Sequence, residues 1–372
     1  MRVGKNIDPQ SIKILTINTL AITSYLNAAG RQANLRRKQQ NSRKQTDCRL
    51  FYIYLWEYIL NAVDMRRRFC AGGILHVYQR TVSGFNIFYS LEDFLVFYTI
   101  IAVKARKFGI NLLGLCLMID HIHLLLTGDN ICQISRFISE YTSLFVREFN
   151  SWTGRKGALF ESTFGSALKT EIKKIRSAIA YLFNNPVEKL LCSKAEEYKW
   201  NFLAFYNPDY KLPYRNLNEY SNALRRAIRV VDSQYKNGLH LKYALLDKLH
   251  KTLDSREKEI LTEYIIWKYL PFDVETTNGY YRSYDDMVKA INSNTGSEYD
   301  ITERHYCKTD VPYREMISVL KKSGWGKIQD VIVASEDVKR KLYSILKSRT
   351  SASGAQIRKF LHIPQAESTR KG

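Results

Sequence analysis

Between residues 73 and 206 the period of the apolar positions changes several times, and each change marks an element. Residues 74–80 (ILHVYQR) alternate in part and are rich in β-branched and aromatic side chains, which predicts a strand. Phe94, Phe97, Tyr98, Ile101 and Ala105 recur near helical spacing and predict a helix over 91–108. An almost unbroken apolar run, 112–119, lies inside a stretch over 111–127 that reads as one strand bearing His121-Ile-His123. Residues 134–149 predict a second amphipathic helix, 154–157 a basic turn, and 160–168 a strand or extended loop. A third helix is predicted over 170–185, stopped by Pro186 because proline disfavours helix in its predecessor. Strands alternating with helices in this order suit an α+β domain with helices covering one face of a sheet.

Residues 206–213 (YNPDYKLP) are turn-rich and predict a boundary near 210. Beyond it the chain reads as mainly helical, as in 255–269, where Asp254 and Glu257 have capping-box spacing. Residues 341–361 read as helix, Ser/Gly turn, helix, the spacing of a helix-turn-helix, with Gln356, Arg358 and Lys359 of the second helix facing outward towards DNA. At the other end, 31–46 is polar and basic with little to bury and predicts a mobile segment. Residues 51–63 suit a buried or interfacial helix, and Met65 stands as an alternative translation start. The predicted division is a basic extension over 1–64, an α+β domain over 65–210, a helical accessory region over 211–335 and a DNA-binding tail over 336–372.

Composition narrows the partner. A hydrophobic content of 45% is ample for a core, and 57 Lys and Arg against 36 Asp and Glu give a formal charge of +21. Such an excess favours a polyanion, nucleic acid ahead of a membrane surface. The six cysteines are scattered with no C-x-x-C pair, which argues against a zinc ribbon or disulfide framework and suits a reducing cytoplasm. No run reaches the roughly 18–20 apolar residues of a spanning helix. Residues 12–29 follow Arg2 and Lys5 but are broken by Thr16, Asn18, Thr19, Thr23 and Ser24, unlike a signal peptide.

Two places carry candidate chemistry. His121 and His123 alternate on a strand, so they share a face, roughly 7 Å apart. In the third helix Ile172, Ile175, Ile179 and Leu182 form an apolar stripe. Tyr181 lies about 200° round from Ile179, off that stripe. Asn185 is four residues on and therefore beside Tyr181. Alone, Tyr181 is one of 25 tyrosines and Asn185 is an ordinary helix-end residue. Together they would present a phenol and an amide to the histidine face of the sheet.

Four strings extend this picture. Met118-Ile-Asp-His-Ile-His-Leu-Leu-Leu126 resembles the M-P-N-H-x-H-L-L signature of the HUH single-tyrosine transposases. Tyr181-Leu-Phe-Asn-Asn-Pro-Val-Glu-Lys-Leu-Leu191 resembles the Y-I-x-x-N-P-V-x-x-G-L element of their REP-associated branch. Phe160-Glu-Ser-Thr-Phe164 is similar to W-Q-x-x-F, and Trp200-Asn-Phe-Leu203 to the W-S-S that follows. Order and spacing agree over residues 73–206. Ile119 and Asp120 replace the usual Pro and Asn, and Leu190 stands where glycine is expected.

The resemblance implies a ferredoxin-like antiparallel sheet, the HUH endonuclease core. It implies that His121, His123 and Asn185 hold a divalent metal, Mg²⁺ or Mn²⁺, whose mixed N/O ligation suits such ions. Tyr181 would then be the nucleophile that cleaves and rejoins single-stranded DNA near hairpins through a 5′-phosphotyrosine bond, in transposition. Arg155, Lys156, Lys169, Lys173, Lys174 and Arg176 flank these elements and are the expected phosphate contacts. No P-loop motif is present in the sequence. Two other readings remain open at this stage: a catalytically idle DNA-binding regulator and an RNA-binding protein. A homodimer is compatible with either placement of the tyrosine, in its own subunit or in a partner.

Overall fold

The computed structural model describes residues 69–70, 72–161, 164–211, 220–293 and 309–364. The expectations for residues 1–64 and for a start at Met65 lie outside the described residues. Four strands form one antiparallel sheet: β1 Ile74–Arg80, β2 Asn111–Leu117, β3 His121–Thr127 and β4 Gly165–Lys169, in the order β2-β3-β1-β4. Helix α1 (Leu91–Phe108) connects β1 to β2, and α2 (Ile131–Thr153) connects β3 to β4. This is the ferredoxin-like order. Helix α3 (Ile172–Glu188) follows β4.

Helix α1 has the predicted bounds because both ends are punctuated. Ser90 and Asp93 form a capping box, and Gly109 closes the helix in the left-handed conformation at φ 60°. Helix α2 extends past its predicted limits to an Asn130 cap, which accepts from Gln133 N, and to Gly154 at φ 73°.

The stretch over 111–127 is two strands rather than one. Met118, Ile119 and Asp120 make a tight reversal, with Met118 N donating to His121 O at 2.9 Å. Its composition carries a weak turn signal, Asp120 alone, since Gly, Pro and Asn are all absent. Both strands are buried on both faces, so apolarity runs through the reversal.

Alternation divides the sheet into two faces. Gln79 points to one, where it meets Tyr141 and Thr142 of α2, and α1 packs beside α2 through Phe97 and Phe145. His76, Tyr78, Gly114, Cys116, His121, His123 and Gly165 share the other by register. The two crossover helices therefore lie on one face as expected, and α3 covers the second. A Cβ at Gly114 would lie 3.3 Å from Leu182 Cδ2, which shows how closely α3 approaches β2. The second face needs this cover because it is also largely apolar.

Helix α3 does not stop at Pro186. It runs to Glu188, with Pro186 in its last turn, where a missing N–H removes a single helical bond. Asn185 is thus inside the helix and buried, not at a frayed end. Ile172, expected in the apolar stripe, is 66% exposed, and the continuous buried run is 178–186.

Leu190 sits at φ 59°, in the left-handed region, where the resembled motif has glycine. Its side chain is 63% exposed and contributes little packing. Leu190→Gly is expected to stabilise the fold by about 1 kcal/mol in urea unfolding, less any entropy the glycine adds to the unfolded chain.

Eight further helices follow among the described residues: α4 Asn222–Lys236, α5 Tyr243–His250, α6 Ser255–Lys268, α7 Val274–Asn278, α8 Tyr284–Asn292, α9 Val311–Lys322, α10 Glu336–Arg349 and α11 Gly354–Phe360. The Asp254–Glu257 capping box opens α6 as predicted. These helices share the core with the sheet layers. Tyr98 OH donates to Ile266 O at 2.7 Å, Thr277 Oγ1 to Leu113 O at 2.9 Å, and Tyr243 OH to Asp93 at 2.9 Å.

Helices α10 and α11 have helix-turn-helix spacing, but α11 turns its polar side chains inward. Gln356 is the capping-box partner of Ser353 and donates to Thr309 O at 2.8 Å, and Lys359 is buried. Only Arg358 of the three expected DNA-facing residues is exposed. The segment after α11 is pinned by His362, whose Nε2 donates to Asn86 O at 2.7 Å and whose ring stacks on Phe85.

Burial, with smaller contributions from Arg155 and Lys339, lowers the His362 pKa from 6.5 to about 3, against the opposing hydrogen bond to Asn86. The unfolded chain takes up this proton below 6.5 and the folded chain does not until about 3. Stability that is complete above 6.5 is therefore lost as pH falls through that window, by about 2 kcal/mol at pH 5. His362→Asn, which tolerates the observed φ of 52°, is expected to flatten this limb in urea titrations between pH 7 and 5.

Candidate active site

The site lies where α3 crosses β3 and β1. His123 is fully buried, and each ring nitrogen has a neighbour: Nδ1 lies 3.1 Å from His76 Nε2, and Nε2 lies 3.3 Å from Asn185 Nδ2. An imidazole between these partners is ordered by donation of Nδ1–H to His76, which leaves the Nε2 lone pair facing Asn185. Tyr181 is 3% exposed and stands edge-on to the His123 ring, centroids 5.6 Å apart, and 6.0 Å from the His76 ring. One chain therefore brings Tyr181, Asn185, His121 and His123 together.

His121 begins β3 and its ring lies 5.2 Å from that of His123. Its Nδ1 is 2.7 Å from Asp120 Oδ1, so the carboxylate accepts the Nδ1–H and the lone pair lies on Nε2. Asp120 is itself fixed: its carbonyl accepts from Thr81 N at 3.1 Å and Thr81 Oγ1 at 3.0 Å, and its Oδ2 lies 3.2 Å from Lys359 Nζ.

Burial would raise the Asp120 pKa. The hydrogen bond and charge of His121, with the charge of Lys359, outweigh this and hold it at about 2. Asp310 nearby is pushed up to about 6 by burial and by the negative charge of Asp120, against the charges of His121, Lys189 and Lys359.

The donor set fits a hard divalent cation. Both histidines have Nδ1 engaged, the arrangement in which Nε2 is the ligand atom of an imidazole, and His123 Nε2 here faces Asn185 Nδ2 at 3.3 Å. Asn185 Oδ1 is buried and makes no hydrogen bond. Among the described residues no three His, Cys, Asp or Glu side chains converge on a metal position.

Three neighbours lie outside the motif. His76 is hidden in an ordinary alternating strand, and only its register beside β3 gives it meaning. Arg80 pairs across the sheet with His121, and Tyr78 with His123, both on the histidine face and half-buried. Gly165 is required beneath Tyr78, because a Cβ there would lie 1.9 Å from the Tyr78 ring. Tyr181, His123, Asn185 and His76 are buried, whereas Tyr78, Arg80 and His121 are partly exposed.

The expected phosphate contacts divide. Lys156 and Lys173 are exposed, as expected. Arg155 holds its own turn, donating to Asn150 Oδ1, Gly157 O and Ala158 O at 3.2, 2.9 and 2.7 Å. Lys169 is buried on the α3 side of β4, which corrects its assignment to the surface. Lys174 pairs with Glu171 at 2.9 Å, and Arg176 lies over the Tyr281 ring at 4.8 Å.

Residues 86–185 match the family model described as "Transposase IS200 like". That segment holds both β3 histidines and ends on Asn185. A solved structure described as a REP-associated tyrosine transposase bound to a REP hairpin is similar at 15% identity over 42% of this chain and 93% of that one, with a TM-score of 0.32. No curated protein matches the chain. Among the described residues no helix is long and apolar enough to cross a membrane.

Proposed function

We propose that the chain is a metal-dependent single-strand DNA nickase and strand transferase that acts at hairpin-bearing sequences through Tyr181. The observation that carries this reading is the meeting of Tyr181, His123 and Asn185 in one buried contact, within a segment of the IS200-like family. His121, His123 and Asn185 would hold Mg²⁺ or Mn²⁺. Such an ion, when bound, supplies Lewis-acid polarisation of the scissile phosphate.

The tyrosine oxygen attacks phosphorus, its proton is released, and the bond from phosphorus to the 3′-oxygen breaks. The leaving oxygen takes up a proton and becomes a 3′-hydroxyl. The 5′-phosphotyrosine bond keeps the energy of the phosphodiester, so attack by a 3′-hydroxyl rejoins DNA without ATP. Protein groups prepare this step by position. Asp120 and His76 orient the two histidines, and the T-shaped packing on His123 fixes the phenol. Arg80, Lys156, Lys173 and Arg358 supply exposed or half-exposed positive charge for the backbone, and Tyr78 supplies an aromatic face for an unpaired base.

The test is incubation with an end-labelled hairpin-bearing single strand and Mn²⁺, followed by denaturing electrophoresis. An SDS-resistant adduct on DNA supports the reading. Retarded DNA without an adduct supports the idle regulator, and selective retention of RNA supports the RNA-binding reading.

A further inference from the structure

Lys359 is far from the motif in sequence and enters its first layer of support. The lysine side chain is 9% exposed and its Nζ lies 3.2 Å from Asp120 Oδ2, while Asp120 Oδ1 holds His121 Nδ1 at 2.7 Å. The stem of Lys359 runs through a slot made for it. Gly84, at φ 64°, faces it so closely that a Cβ would come within 2.8 Å of Lys359 Cε and Nζ.

Helix α11 is held at this place by bonds on both sides of Lys359. Tyr89 OH donates to Phe360 O at 2.7 Å, Gln356 Nε2 to Thr309 O at 2.8 Å, and His362 Nε2 to Asn86 O at 2.7 Å. The lysine therefore arrives with little freedom left to lose.

We infer that Lys359 is a positioning residue for the metal-binding histidine: it fixes the Asp120 carboxylate, which orients His121. This rests on the reading of His121 as a metal ligand. The physical reason lies in a sequence departure. The resembled motif carries a neutral Asn at the position of Asp120, whereas this chain places a charged carboxylate there. The Asp120 side chain is only 20% exposed, and a charge so far withdrawn from water needs a counter-charge, which helix α11 supplies. The C-terminal hairpin thereby becomes part of the site, and its buried lysine serves the sheet instead of reading bases.

The test uses the full chain and Mn²⁺ alone, titrated by the loss of the free-ion electron paramagnetic resonance signal. Lys359→Met is expected to weaken Mn²⁺ binding by about 10–100-fold, the usual effect of losing an outer-shell partner. Asp120→Asn/Lys359→Met, which removes both charges and restores the motif's amide, is expected to recover affinity to within a few-fold of wild type. Asp120→Asn alone leaves the buried ammonium without its carboxylate and is expected to bind less tightly than the double variant. A merely structural lysine would not give this reversal. Unchanged affinity in Lys359→Met, or a double variant no better than the single, overturns the inference, as does a wild-type chain that binds no Mn²⁺. Should Lys359→Met not fold, Asp120→Asn is compared with the double variant: tighter Mn²⁺ binding by the double variant supports the inference, and equal binding overturns it. Tight Mn²⁺ binding with the expected reversal but no DNA adduct would sink the nicking reading and leave the positioning role standing.

Discussion

Tyr181→Phe is expected to abolish covalent capture of DNA and to leave DNA binding within a few-fold of wild type. The substitution removes one oxygen and nothing else. The ring keeps its edge-on contact with His123 and its place beside His76, so packing in the closed site is preserved. The phenol oxygen is the attacking atom of the proposed reaction, and no other group in the buried contact can take its place: His76 and His123 are engaged with each other, and Asn185 is an amide. The effect is a loss of adduct to background. Electrophoretic retardation under native conditions, run beside the denaturing gel, separates loss of chemistry from loss of binding. Adduct retained by the Phe variant would refute the assignment of the nucleophile.

His123→Ala carries the second large effect, through two routes at once. It removes a proposed metal ligand, whose Lewis-acid contribution of several kcal/mol corresponds to roughly 10²–10³-fold in rate. It also empties a fully buried volume bounded by His76, Tyr181 and Asn185, and takes away the partners of two buried polar side chains. The two routes separate in a thermal titration. Wild type is expected to gain about 2.7 kcal/mol when Mn²⁺ is present at 100 times its Kd. His123→Ala should start lower and gain nothing, whereas a purely structural histidine would leave the metal-dependent increment intact.

Much of the core was legible because its signals are local. The spacing of Phe94, Phe97, Tyr98, Ile101 and Ala105 defined α1 to the residue, and Tyr181 and Asn185 sit on one side of α3 as helical geometry requires. The errors arise where tertiary packing overrides a local rule. The 118–120 reversal carries only Asp120 as a turn former, and its flanking strands are equally apolar, so periodicity could not divide them. Pro186 reads as a stop, yet in the last turn of α3 it removes one bond and the buried face carries the helix through. Gln356 and Lys359 are polar residues on a short helix and read as solvent-facing. One is taken up by its own capping box and the other by a carboxylate 239 positions away in sequence. His76 could not be singled out by any local pattern, since only strand pairing places it against His123.

The departures from the resembled motif proved informative in opposite ways. Leu190 takes the backbone conformation that explains glycine at that place, at some cost in strain. Asp120 introduces a charge that the rest of the chain accommodates through Lys359 and His121.

The central claim is that the phenol oxygen of Tyr181 becomes joined to a 5′-phosphate. Mass spectrometry of the protein–DNA adduct, formed with a hairpin-bearing single strand and Mn²⁺ and then digested with protease and nuclease, tests it directly. The account predicts a nucleotide attached through its 5′-phosphate to the peptide containing Tyr181. An adduct on any other residue, or a 3′-phosphate linkage, would contradict it.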